Sequence, residues 1–102
     1  MKEYKLKYSD EILADIDRLF VFATDQHTVD FARRYTDRLR KEIEDLSILA
    51  GIFRESSFRT AKLYHPHAKT MTIGHRKLTA IFHIEGEYVI IDKILPSCMI
   101  TY

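Results

Sequence analysis

Between Arg54 and Lys77 the sequence sets six cations, Arg54, Arg59, Lys62, Lys69, Arg76 and Lys77, against one acid, Glu55, and interleaves His65, His67 and His75. Side chains of this kind attract polyanions, because each phosphate they neutralise releases condensed counterions. A nucleic acid or an acidic protein segment is the implied partner, and Lys93 extends the basic set toward the C-terminus. The plain alternative is an ordinary solvated basic surface, since position rather than number decides what a charge cluster does. The histidines add groups able to take up or release a proton near neutral pH.

Other chemistry is less well supplied. His65 and His67 flank Pro66, so an extended backbone would point both rings to one side, as paired metal ligands sometimes are. No third ligand stands at a recognisable spacing, and neither a metal nor a cofactor is expected. Cys98 lies in a tail, and Ser56 and Ser57 have no elbow motif around them, which disfavours a nucleophile. Gly74 is isolated and builds no phosphate-cradling loop. Tyr88, Tyr102 and Phe82 offer rings that could stack on bases, although aromatic side chains in a sheet more often pack in a core.

The elements that must position these residues fit one α+β domain spanning 1–102. The apolar fraction of 46% supports a packed core and argues against disorder. Net charge is +1, but residues 1–50 carry nine Lys/Arg against eleven Asp/Glu, whereas residues 51–102 carry seven against four and hold four of the five histidines. The single cysteine precludes an internal disulfide and fits a reducing compartment, the cytoplasm. No apolar run approaches the roughly 20 residues that span a bilayer, so no membrane role is expected.

Tyr4, Leu6 and Tyr8 alternate with Lys5 and Lys7, predicting a strand over 3–8. Ser9 is an N-cap followed by acids, and Ile12, Ile16, Leu19, Phe20 and Ala23 form one face of a helix over 10–23. After a polar connection at 24–28, Phe31, Ala32, Tyr35, Leu39, Ile43, Leu46 and Leu49 predict a second helix over 28–50, stopped by Gly51. Its opposite face, with Arg33, Arg34, Arg38, Arg40 and Lys41, reads as solvated. Residues 51–69 read as a connection with a short strand near Arg59–Leu63. Strands follow around Met71–Ile73, Leu78–Ile84 and Tyr88–Leu95, the last two joined by the turn Glu85-Gly86-Glu87. The expected order is β-α-α-β-β-β with a C-terminal antiparallel sheet, and Ile16, Leu39, Leu46, Ile81 and Ile90 in the core.

This order, with Tyr4 to Ser9 leading into Ile12 and Ile16, Phe31 to Tyr35 continuing to Leu46, and the hairpin Leu78 to Leu95, resembles the RelE/ParE superfamily of bacterial toxins. Those are the toxic halves of type II toxin–antitoxin operons. The resemblance implies a cytoplasmic growth inhibitor associated with plasmid stabilisation, silenced by a cognate antitoxin, as a homodimer or a toxin–antitoxin hetero-oligomer. The long helical hairpin looks more like the ParE branch, whose members bind and inhibit DNA gyrase. The RelE-like alternative is a metal-independent endonuclease acting on mRNA at the ribosome, for which Arg76, Lys77, His75 and Tyr102 are the candidate catalytic residues. Thr79 and Pro96 stand where the cleaving members would carry functional side chains, which favours inhibition by binding. An inactive structural relative is the third reading.

Overall fold

The computed structural model describes residues 3–100. Strand β1 (Lys5–Tyr8) leads into helix α1 (Asp10–Gln26), and α2 (Val29–Glu44) returns antiparallel to it. Two short turns of helix follow, α3 (Leu46–Leu49) and a 3-10 turn (Ala50–Ile52). After a connection containing α4 (Arg59–Lys62) come β2 (Lys69–Ile73), β3 (Leu78–Glu85) and β4 (Tyr88–Pro96). The four strands are ordered β1-β4-β3-β2. β2, β3 and β4 form the expected antiparallel meander, and β1 joins the open side of β4 in parallel, Lys5 opposite Tyr88 and Tyr8 opposite Ile91. No helix among the described residues is long and apolar enough to cross a membrane.

Local signals account for the helical hairpin. The Ser9 hydroxyl accepts the Ile12 N–H at 3.1 Å, and the Thr28 hydroxyl accepts that of Phe31 at 3.1 Å, so each helix starts on a side-chain cap. α1 runs three residues beyond its expected end, leaving His27 and Thr28 as the whole connection. α2 stops earlier than expected, at Glu44. The Ser47 carbonyl accepts the Tyr4 N–H, at 2.6 Å, so the segment after the break docks β1.

The sheet is covered on both faces. Toward the helices, Ile12, Ile16, Leu39, Ile43 and Leu46 pack with Ala80, Phe82, Val89 and Ile91. On the outer face a smaller cluster joins Ala61 and Ala68 to Ile81. That second cluster explains why residues 59–62 form a helical turn and not the expected strand: two alanines let the turn lie close against the centre of β3. Ile90 is half-buried rather than core, because Val89 and Ile91 point at the helices and the alternation turns Ile90 outward.

One carboxylate fastens α1 to β4. β1 ends at Tyr8, and beyond it the edge of β4 has no strand to pair with. There Ser9 N–H donates to Ile91 O (3.1 Å) and the Ser9 hydroxyl to Asp92 O (2.9 Å), after which Asp15 takes over. Its oxygens accept the Ile94 N–H at 3.2 Å, the Lys93 ammonium at 2.9 Å and the Arg18 guanidinium at 2.8 Å. Burial alone would raise the Asp15 pKa, but these hydrogen bonds, from Lys93, Ile94 and Arg18, outweigh it and hold the carboxyl below its ordinary value.

Truncating the buried Leu39 or Leu46 to alanine is expected to lower stability by about 2–5 kcal/mol, read from denaturant unfolding. Asp15→Ala, which strands Lys93 and the Ile94 amide, should cost roughly 3 kcal/mol near neutral pH. Because the folded Asp15 pKa is depressed, its contribution is present above the unfolded carboxylate pKa of about 4 and is lost as pH falls through the folded value. The difference between wild type and Asp15→Ala should therefore shrink below about pH 4, measured by parallel unfolding curves.

Candidate functional site

At their connected ends α1 and α2 do not close over the sheet, and a groove of about 560 Å³ runs between them and the β2–β3 turn. Its floor is apolar and aromatic: Leu19, Phe22, Phe31, Tyr35 and Leu78 line it. Phe22 is 64% exposed and Phe31 41%, unusual for phenylalanines on adjacent helices unless something covers them. The rings are ordered, with Phe31 4.1 Å from His27 and stacked on Tyr35 at 6.3 Å. Burial, and secondarily the charge of Glu42, raises the Tyr35 hydroxyl pKa. The helical periodicity placed Phe31 on the buried side, whereas it is exposed beside the connection of the hairpin.

Arg38, His75 and Lys77 form the polar wall of this groove. The turn carrying the last two is unusual, because Gly74, His75 and Arg76 lie at φ 60°, 58° and 68°, three consecutive left-handed residues. Only the glycine adopts that conformation without cost. The turn is anchored by the Gly74 N–H, which donates to Glu42 on α2 at 3.0 Å, and a Cβ on Gly74 would stand 3.2 Å from Leu39 Cδ2. The basic turn is thus pinned against α2, presenting His75, Arg76 and Lys77 as exposed side chains.

The remaining basic residues do not converge with it. Arg54, Arg59 and Lys62 are exposed along the connection that covers the outer face. Lys69 is half-buried, its ammonium donating to Phe53 O at 2.6 Å, and so ties that connection down. Lys93 is committed to Asp15, which removes it from the exposed basic set. Tyr102 lies outside the described residues. Thr79 is buried and hydrogen-bonded to Ser97 at 2.8 Å, which makes it a structural position. Phe82 is fully buried edge-on to Phe53 at 5.7 Å and cannot stack on a base; Tyr88 lies under the Lys7 ammonium, 4.3 Å away.

A second cluster lies on the outer face, around a residue that sequence reasoning passed over. His83, on β3, places Nδ1 2.7 Å from Asp92 and Nε2 3.2 Å from Glu85, with His65 stacked on its ring at 3.8 Å and 2° from parallel. Desolvation raises the Asp92 pKa, opposed by the hydrogen bond with His83. His65 and His67 remain neighbours, their rings 5.8 Å apart and the His67 N–H donating to His65 Nδ1, but the His67 ring turns to Glu55 at 3.0 Å, and that hydrogen bond lowers the Glu55 pKa. A polar residue in the otherwise apolar run 80–84, two before Glu85, was the available signal.

No family model matches the chain, and no curated protein does. Among solved structures, a chain of the "Chromosomal ParDE TA system from P. aeruginosa" superposes with a TM-score of 0.78, covering 92% of this chain and 96% of that one at 17% identity. The molecule thus has the α+β fold of that structure, the architecture that the RelE/ParE resemblance implied. At this identity the likeness is one of fold.

Gly74→Ala is expected to destabilise by about 1–2 kcal/mol, from the left-handed backbone and the contact with Leu39. Arg76→Gly should act oppositely, raising stability by up to about 1 kcal/mol. Thermal melts of the two variants check both signs.

Proposed function

We propose that this chain is the toxin of a type II toxin–antitoxin module that acts in the cytoplasm by binding a macromolecular target such as DNA gyrase. Its activity is held in check by a cognate antitoxin. The observation that carries this reading is the exposed aromatic groove of a ParE-like fold, an apolar floor with a cationic wall. Such a groove suits an amphipathic antitoxin segment with acidic residues beside its apolar ones, the helix-in-groove mode of recognition. The short edge strand β2 offers a second attachment, by addition of an extended segment.

Inhibition by binding also agrees with the distribution of polar groups. His75, Arg76 and Lys77 share a turn beside an apolar groove, with Thr79 buried next to them. A phosphate-cleaving site needs a base, an acid and charge stabilisation around one reacting atom. The turn supplies cations and one histidine, enough for docking an acidic surface.

Expression of the chain alone should arrest bacterial growth, and co-expression of its cognate antitoxin, sought as a small acidic reading frame beside this gene, should restore it. Phe22→Asp and Phe31→Asp should fold normally yet weaken antitoxin binding by roughly 2 kcal/mol each, measured by titration calorimetry. Induced cells should show a DNA-damage response and filamentation with intact messenger RNA. Codon-specific cleavage by purified protein on purified ribosomes would establish the RelE-like activity instead, and unimpaired growth with folded protein would mark an inactive relative. Lys77→Ala should lower target affinity modestly and in a salt-dependent way if the chain binds, but lower a cleavage rate roughly 10²–10³-fold if it cuts.

A further inference from the structure

The outer-face cluster has the composition of a metal site. His65, His83 and Glu85 each offer a ligand atom, and these atoms lie within 4.8 Å of one another. In a tetrahedral zinc site, bonds of about 2.0–2.1 Å hold ligand atoms about 3.4 Å apart, so assembling it takes a closure of up to about 1.4 Å together with a rotation of His65 out of its stack on His83. The parts that must move can do so, since the Glu85 side chain is 61% exposed and His65 lies in the connection between α4 and β2.

His83 is already oriented. Its side chain is 7% exposed, and Asp92 holds Nδ1 at 2.7 Å. A carboxylate on the far nitrogen is the usual partner of a metal-ligating histidine, fixing the tautomer and aiming the other nitrogen. Asp92 reaches this position through a β-bulge: Phe82 pairs with Ile91 and Ile81 with Lys93, leaving Asp92 as the extra residue of β4. On the other side of the ring, Nε2 stands 3.2 Å from the Glu85 carboxylate, a place where a bound cation would meet both groups.

We propose that His83 Nε2, Glu85 and His65 bind one divalent transition cation of the zinc class, with Asp92 as the positioning residue. On binding, His65 turns out of its stack on His83 and gives up the hydrogen bond that its Nδ1 accepts from the His67 N–H. The ion joins the connection over the outer face to the β3–β4 hairpin. Two imidazoles and one carboxylate favour zinc or cobalt over magnesium, which prefers oxygen ligands.

Titration of the purified full chain with cobalt(II) should give one equivalent of visible absorption characteristic of low coordination number, displaced by zinc, and zinc but not magnesium should raise the melting temperature. Glu85→Gln and His65→Ala, both at accessible positions, should fold and bind at least tenfold more weakly; Asp92→Asn should lose roughly 10- to 100-fold. His67→Ala should bind as wild type does. Absence of a one-equivalent cobalt spectrum in the folded protein overturns the proposal, and so does binding that survives Glu85→Gln and His65→Ala while failing in His67→Ala, which would place the ion on His67 and Glu55.

Discussion

Everything on the helix side of the sheet depends on Asp15. A parallel strand as short as β1 cannot cover the whole edge of β4, and the backbone amides beyond its end would otherwise face a packed helix with no acceptor. Asp15 supplies that acceptor from α1, and in doing so fixes the helix along the strand axis. The carboxylate is tolerable in a buried place because it is saturated with donors, two of them cationic. The helical hairpin, and hence the groove at its connected end, inherits its position from this contact.

The β-bulge at Asp92 has a complementary role on the opposite face. By adding one residue it shifts the alternation of β4, so that Ile91 and Ile94 both face the helices although three positions apart. The residue released by that shift is the one holding His83. A single irregularity thus serves the continuity of the core and the outer-face cluster together.

Much of the fold was legible in the sequence, because its signals are local. The caps Ser9 and Thr28, the apolar periodicity through Ile12, Ile16, Leu39 and Ile43, and the turn at Gly86 act over a few residues, and each element they mark is present. What escaped reading depends on contacts distant in the chain. α4 is one helical turn that packing of Ala61 and Ala68 on Ile81 maintains, and no single turn announces itself by period. α2 ends where β1 docks, which its own apolar repeat through Leu49 does not reveal. The candidate site divided in the same way: the basic turn at 75–77 was visible as composition, but the engagement of Lys69 and Lys93, the exposed aromatic residues at the connected end of the hairpin and the approach of His65 to His83 all arise from tertiary placement. Charge counts identify cations; only the fold shows which are free.

The pairing of β1 with β4 has a consequence for the order of events during synthesis. Among the described residues β1, first of the four strands in the sequence, pairs with β4, the last of them, with Lys5 opposite Tyr88. Until β4 has left the ribosome the N-terminal strand has nothing to pair with, and Asp15 has neither the Ile94 amide nor the Lys93 ammonium to accept from. Contacts of such long sequence separation form late, because the loop between them must close first. The helical hairpin, whose contacts are local, can form early, but the frame that holds its groove against the sheet is completed only when β1 and β4 meet.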